Sequence, residues 1–468
     1  MPQMKQKASR MQENGITEGV IWKQLLLFFF PILLGTFFQQ LYNTVDAIVV
    51  GNYVGKEALA AVGGATGNLI NLIVGFFVGL SSGATVIIAQ YFGARDENNV
   101  SRTVHTAMAM AMAMGLFLTV FGLIFSPALL RLMDTPEDVM DHATTYIRIY
   151  FIGMIPSLVY NVGSGILRAI GDSKRPLYFL IIACLTNIVL DVLFVVGFRM
   201  NVAGAAWATI LSQAVSAVLV VIVLMRSRES YRLVPRQLRF HGDLLRQIIR
   251  IGLPAGLQSV MYSLSNVVIQ ICINGFGTDM MAAYTAWGKL DGLMWMVINA
   301  FGVSITTFVG QNFGAGKLDR MRKSVRVCLG MATAAVLVIS GALLVLGEPL
   351  MRMFTQEESV LELGLQICHF LAPCLVTYVC IEIFSGAVRG AGDALIPTII
   401  TLCGVCLLRV IWLVTLVPVR HEITTVLVSY PISWTLTSIL FVVYYLKGGW
   451  LRRCLLRAGK ALPAEETK

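Results

Sequence analysis

The chain has 468 residues, of which 57% are hydrophobic and 13% charged, and its formal net charge is +10. A soluble domain carries about 25% charged residues, so this composition cannot clothe a surface that faces water. The positive charge therefore needs an explanation other than nucleic acid, and its placement along the chain supplies one.

Residues 1–23 are polar, and the apolar run after Lys23 continues for more than 20 residues with no small-residue cleavage site. This reads as a first transmembrane helix that is kept, not a cleaved signal. A membrane-spanning helix needs about 20 mostly apolar residues. Twelve are predicted, at 24–50, 58–89, 102–126, 140–168, 176–198, 202–225, 247–274, 280–310, 325–346, 360–388, 395–418 and 424–446. The expected fold class is an all-α integral membrane protein.

Lys and Arg set the orientation. With the N-terminus inside, inward segments carry 28 of them and outward loops carry 5, namely Lys56, Arg131, Arg199, Arg352 and Arg420. Arg148, Lys289 and Arg409 remain inside helices. The asymmetry follows the positive-inside rule and accounts for the net charge. Both termini are expected in the cytoplasm of a plasma membrane, from a bacterial source. The longest polar connection, 226–246, divides two six-helix lobes at 24–225 and 247–446, with tails at 1–23 and 447–468. It reads as a solvated linker or as a surface for anionic lipid.

The halves repeat. Gln90-Tyr-Phe-Gly-Ala94 recurs as Gln311-Asn-Phe-Gly-Ala315. Gly165-Ile-Leu-Arg-Ala-Ile-Gly-Asp172 recurs as Gly386-Ala-Val-Arg-Gly-Ala-Gly-Asp393, with the same spacing of 221. Pro31 matches Pro254 within a drift of a residue or two. Such symmetry is common in transporters, with the substrate path between or within the halves. Gly171, Gly392, Asp172 and Asp393 suit helix caps and turns.

A carboxylate at a helix centre costs about 2.5–3.5 kcal/mol on insertion scales, so a buried one marks a candidate site. Asp46 and Asp191 both lie in apolar helices. Counted from the outer helix ends, both sit roughly 8–12 Å deep at 1.5 Å per residue. Two carboxylates at one depth can share a proton or bind a cation between them. Gln39, Asn43 and Asp46 follow one helix face, Asn187 lies one turn before Asp191, and Thr209 is on the sixth span. These groups can satisfy carboxylates or ligate a small hard cation. Protonated and ionised Asp prefer different helix packings, so ion binding can be linked to inward- and outward-facing states.

By the repeat offsets, Asp46 corresponds to Ile269 and Asp191 to Trp412, so ion chemistry should be confined to the first half. The second half has Glu382, Arg409 and the Lys289/Asp291 pair. Glu382 and Arg409 either pair structurally or line a substrate path. Pro31 and Pro156 fall within helices and should kink them. The nine cysteines lie mostly in apolar segments and read as small core hydrophobes, and the five histidines are scattered. No metal is expected beyond Na⁺ at Asp46 and Asp191, and no cofactor.

The pattern Pro31…Gln39…Asp46, the repeated Gln-x-Phe-Gly-Ala and Arg-x-x-Gly-Asp loops, and Asn187-x-x-x-Asp191 together resemble the multidrug and toxic compound extrusion (MATE) family. The resemblance spans about residues 20 to 448, and its polar set is most similar to the DinF-like branch. It implies twelve helices in a V of two lobes and efflux of cationic or amphipathic small molecules, driven by inward H⁺ or Na⁺. It implies Asp46 and Asp191 as the ion-coupling site, with Gln39, Asn187 and Thr209 as their network and Asn161 nearest to a fourth-helix asparagine of that network. The NorM branch carries an acidic residue in the seventh helix, and 247–274 holds none. A monomer acting in a lipid bilayer is expected. An enzyme is disfavoured, since no nucleophile, metal or phosphate-loop constellation is visible. A flippase of lipid-linked glycans is the alternative; it would favour a basic cavity.

Overall fold

The computed structural model describes residues 15–133 and 135–460, apart from the side chains of Lys56 and Ala65. The distal parts of both expected tails, 1–14 and 461–468, lie outside the described residues. The helices, in order, are α1 Ile21–Tyr53, α2 Lys56–Gly63, α3 Ala65–Gly93, α4 Glu97–Leu132, α5 Glu137–Ile152, α6 Met154–Ala169, α7 Lys174–Asp191 and α8 Asn201–Arg226. They continue as α9 Gly242–Asn274, α10 Thr278–Gly314, α11 Leu318–Arg352, α12 Glu358–Leu371, α13 Val376–Gly390, α14 Leu395–Thr401, α15 Leu408–Leu416, α16 Ile423–Lys447 and α17 Trp450–Arg457. Among the described residues there is no strand. Among the described residues eleven helical spans are long and apolar enough to cross a membrane, several of them joining consecutive helices such as α2 with α3, α12 with α13 and α14 with α15, and α5 with α6 makes a twelfth when the bent pair is one span.

The irregularities have local causes. The α5–α6 pair bends by 50°. Pro156 has no N–H for the Ile152 carbonyl and its ring crowds that carbonyl, which is where α5 ends. The expected kink thus falls one turn ahead of the proline. A 3₁₀ turn at Ala372–Leu375, which contains Pro373, lies between α12 and α13 within one span. Widened π turns at Val192–Gly197 and Leu402–Leu407 interrupt two other spans. Turns of this kind insert an extra residue and often mark functional positions. By contrast, α1 continues unbroken through Pro31.

The chain forms two compact units. One is Phe30–Val260, and the other is Met261–Lys468 with Met1–Phe29, as far as those are described. Their boundaries fall inside α1, one residue before Pro31, and inside α9.

In the first unit, α3 packs backbone to backbone on the start of α9. A Cβ on Gly79 would stand 2.7 Å from the Gly256 Cα, and one on Gly256 would stand 2.6 Å from the Phe76 carbonyl oxygen. Small residues at four-residue spacing permit this approach, the packing mode that replaces hydrophobic drive in lipid. The linker is pinned to α4. His105 Nε2 accepts from the Val234 amide at 3.0 Å, and Thr106 Oγ1 meets His241 Nδ1 at 2.9 Å. Arg102 forms an ion pair with Asp243 at 3.2 Å.

In the second unit, Phe29 stacks on Phe301 with ring centroids 4.1 Å apart. Arg320 donates to the carbonyls of Ile16, Glu18 and Gly19 at 2.7–3.2 Å, so the segment before α1 is tied to α11. Asp393 accepts from Tyr444 Oη at 2.9 Å and ion-pairs with Arg453 and Arg457 on α17 at 3.6 and 3.8 Å. The short α17 was not expected from the sequence. It buries Trp450, Leu451, Cys454 and Leu455, leaves Arg452 exposed, and turns Arg453 and Arg457 toward Asp393.

Candidate functional site

Three helices of the first unit converge on a polar centre. Asp46 comes from α1, Asn187 and Asp191 from α7, and Thr209 from α8. All four are at most 5% exposed. Asn187 and Asp191 share a face because they stand four residues apart. Asp191 is the last residue of α7 before the π turn at Val192–Gly197.

Asp46 is well supplied with donors. Asn187 Nδ2 donates to its Oδ1 at 3.2 Å, and Thr209 Oγ1 donates to its Oδ2 at 3.0 Å. Asp191 is not. Among the described residues neither of its carboxylate oxygens has a hydrogen-bond partner, nor does Asn187 Oδ1. The Asp46 and Asp191 carboxyls stand close enough to interact. Two ionised carboxylates in contact offer only acceptors to each other and repel. The contact becomes attractive when a proton lies between them or when a cation collects their oxygens with Asn187 Oδ1. The donor set is hard oxygen, which suits a proton or an alkali cation. Among the described residues no cluster of three or more His, Cys, Asp or Glu side chains is placed to hold a metal.

Gln39 lies two helical turns from Asp46, where its amide meets the Tyr42 hydroxyl. Asn43 is not gathered into the centre; it is exposed and its amide meets Gln40 Oε1 at 3.4 Å. Asn161 is likewise separate, donating to the Ser157 carbonyl at 2.9 Å. It lines a cavity of about 110 Å³ with Gln39, Tyr42, Arg168, Gln213 and Ser216. Pro31 lines the same cavity.

Sequence reading missed the tyrosines. Tyr42, Tyr146 and Tyr150 all stand close enough to Asp46 to sense its charge, and Tyr42 and Tyr150 both meet Gln213. The available signal was helical spacing: Tyr42 is one turn before Asp46, and Gln213 one turn after Thr209.

In the second unit, Glu382 and Arg409 are not brought into an ion pair. Glu382 packs over Gly302, and its charged neighbour is Arg389. Arg409 donates to Ser433 Oγ at 2.9 Å and stacks over Tyr430.

The MatE family model matches this sequence twice, at residues 31–193 and 254–415. The chain belongs to the MATE family. The two matches restate the internal repeat. The chain is 29% identical over 445 residues to the probable multidrug resistance protein YoeA of Bacillus subtilis, covering 91% of this chain and 93% of that protein. It is 25% identical over 404 residues to an FAD transporter of Shewanella oneidensis, covering 84% and 88%. Its fold matches a crystal structure of MATE in the bent conformation, with a TM-score of 0.86 and 22% identity over 95% of this chain and 98% of that one. This MATE protein is thus a multi-pass membrane transporter and not an enzyme. Nothing in these likenesses favours the glycan flippase.

Proposed function

We propose that this MATE-family chain exports small organic molecules in exchange for H⁺ or Na⁺ bound at Asp46 and Asp191. One observation carries the reading: Asp191 is fully buried, its two oxygens take no donor among the described residues, and a second carboxylate stands close enough to interact with it. A structural aspartate would be expected to take donors, as Asp46 does from Asn187 and Thr209. A proton or an alkali cation would neutralise Asp191 there. The names of the relatives support small-molecule export.

Orientation follows from the basic loops, with both termini in the cytoplasm. Entry of the ion joins the two carboxyls and lets α1 and α7 close on each other. Its release restores their repulsion. Coupling requires only that the two packings differ in access to substrate. Pro31 is the proposed bending point, because Leu27 loses the amide that would bond its carbonyl. The cavity beneath Tyr42 adjoins that point and would change shape with it. The lobes 24–225 and 247–446 are the proposed moving halves.

The test is uptake into everted vesicles or proteoliposomes of a fluorescent organic cation and of FAD, under separately imposed H⁺ and Na⁺ gradients. The reading requires that one gradient drive at least one substrate and that Asp191→Asn abolish the driving. Gradient-independent movement in wild type would overturn it.

A further inference from the structure

The second unit holds a buried cation that pairs with no carboxylate among the described residues. Arg409 lies on α15, directly after the π turn at Leu402–Leu407, and is 4% exposed. Its Nη2 donates to Ser433 Oγ at 2.9 Å, while Nε has no hydrogen-bond partner. Its guanidinium carbon stands 4.1 Å from the Tyr430 ring centroid and 5.6 Å from that of Trp434. Among the described residues Arg409 forms no ion pair. Asp291 senses its charge, but the Asp291 carboxylate takes its hydrogen bond from Trp295 Nε1 at 2.8 Å.

An intramembrane arginine is expensive, and such residues usually face partners or a pathway. Two aromatic faces offset part of that cost. They do not use the planar fork of N–H donors, which fits a carboxylate or phosphate in a bidentate manner. The surroundings add a second specificity. Trp295, Tyr378 and Trp434 form an edge-to-face triad with ring centroids 4.6, 5.8 and 6.5 Å apart. The tyrosine hydroxyls are already engaged, Tyr378 with Tyr262 at 2.9 Å and Tyr430 with Tyr284 at 2.7 Å, so the ring walls are held in place. Trp295, Tyr430 and Asp291 are each partly exposed.

We propose that Arg409, with Tyr430, Trp434 and Trp295, forms a recognition site for aromatic organic anions, the oxyanion on the guanidinium and the ring on the indole and phenol walls. This rests on the reading of the chain as an exporter and names a substrate class for it. The repeat gives the site its place. An offset of 221 sets Arg409 opposite Ile188, one turn from Asp191, so corresponding helices carry a carboxylate in one half and a guanidinium in the other. The first half binds the coupling cation and the second half binds the anionic group of the cargo.

The test uses two dyes built on one xanthene scaffold, anionic fluorescein and cationic rhodamine 123, with binding to the purified full chain read by tryptophan quenching. Wild type binds fluorescein. Arg409→Gln weakens that binding by at least about tenfold, the expected loss of a charge-assisted bidentate contact, and leaves rhodamine 123 unchanged. Arg409→Lys keeps the charge and falls between, and it carries the test if Arg409→Gln does not fold. Equal fluorescein binding by wild type and both variants overturns the site. So does wild type that binds no fluorescein while phosphatidylglycerol quenches the tryptophans through Arg409, which would assign the box to a lipid headgroup. Asp191→Asn should retain fluorescein binding and lose gradient-driven transport. If no gradient drives transport in wild type while fluorescein binding still depends on Arg409, the exporter reading falls and the anion site stands.

Discussion

Asn187 donates its Nδ2 to Asp46 Oδ1 at 3.2 Å, tying α7 to α1 across 141 residues of sequence. The same asparagine leaves its own Oδ1 without a partner beside Asp191. One side chain therefore supports one carboxylate and offers an oxygen to whatever neutralises the other. Asn187→Leu removes both functions at nearly constant volume. A hydrogen bond to a charged group is worth about 1.5–3 kcal/mol, so coupled transport should fall roughly tenfold to a hundredfold while insertion is retained. Thr209→Val should cost less, because Asn187 still serves Asp46. Initial rates of gradient-driven uptake check both.

The α3–α9 contact predicts a sharp steric limit. Gly79→Val would place side-chain atoms against the Gly256 backbone, which cannot move aside as a flexible side chain can. Overpacking of this kind costs about 1–3 kcal/mol and sometimes more. Gly288→Ala is the matched control, since a Cβ there meets nothing within 4 Å. Thermal unfolding in detergent should show a lowered midpoint for Gly79→Val and little change for Gly288→Ala.

The linker should loosen in mild acid. Burial, then Arg102 and Arg239, lower the His241 pKa from its ordinary value of 6.5, against a weaker opposing effect of Asp243. Arg239 Nε donates to His241 Nε2 at 3.0 Å, a bond that a protonated imidazole cannot accept. Folded His241 binds a proton less readily than unfolded His241, so this contact is intact above the ordinary imidazole range. Its contribution is lost as pH falls through that range. His105, the other histidine at this contact, accepts from the Val234 amide through Nε2. Trypsin cleavage within 226–246 should rise between pH 7.5 and 5.5 in wild type, relative to His241→Gln compared at the same two pH values.

Asp393 holds α17 in place. Asp393→Ala leaves Arg453 and Arg457 without their carboxylate and deprives Tyr444 of its acceptor. Cys454, now 3% exposed, should become reactive to maleimide by peptide mass spectrometry. Unchanged labelling would mean that packing of Trp450 and Leu451 alone secures the helix.

The spans, the repeat and the two carboxylates were legible because each rests on a local signal. Long apolar runs give helices in a bilayer, and Asp46 and Asp191 stand out against the residues beside them. Asn187 and Thr209 were legible through helical spacing. Asn43 was misplaced into the centre because a face of α1 is wide enough to carry it toward Gln40 instead. Tyr146 and Tyr150 were invisible because tyrosine is unremarkable in a membrane helix, and only packing of α5 against the site gives them meaning. The aromatic box around Arg409 draws on α10, α13, α15 and α16, and no spacing rule links residues so far apart. The bend at Ile152 came one turn before Pro156 because the missing bond is the one to the preceding turn.

The central claim is that a cation at Asp46 and Asp191 drives export. The most direct measurement is ion-gradient-driven uptake by proteoliposomes of wild type, Asp46→Asn and Asp191→Asn, matched for inserted protein. The account predicts that an H⁺ or Na⁺ gradient accelerates wild type and that neither variant responds to it. A gradient response in Asp191→Asn equal to that of wild type would contradict the account.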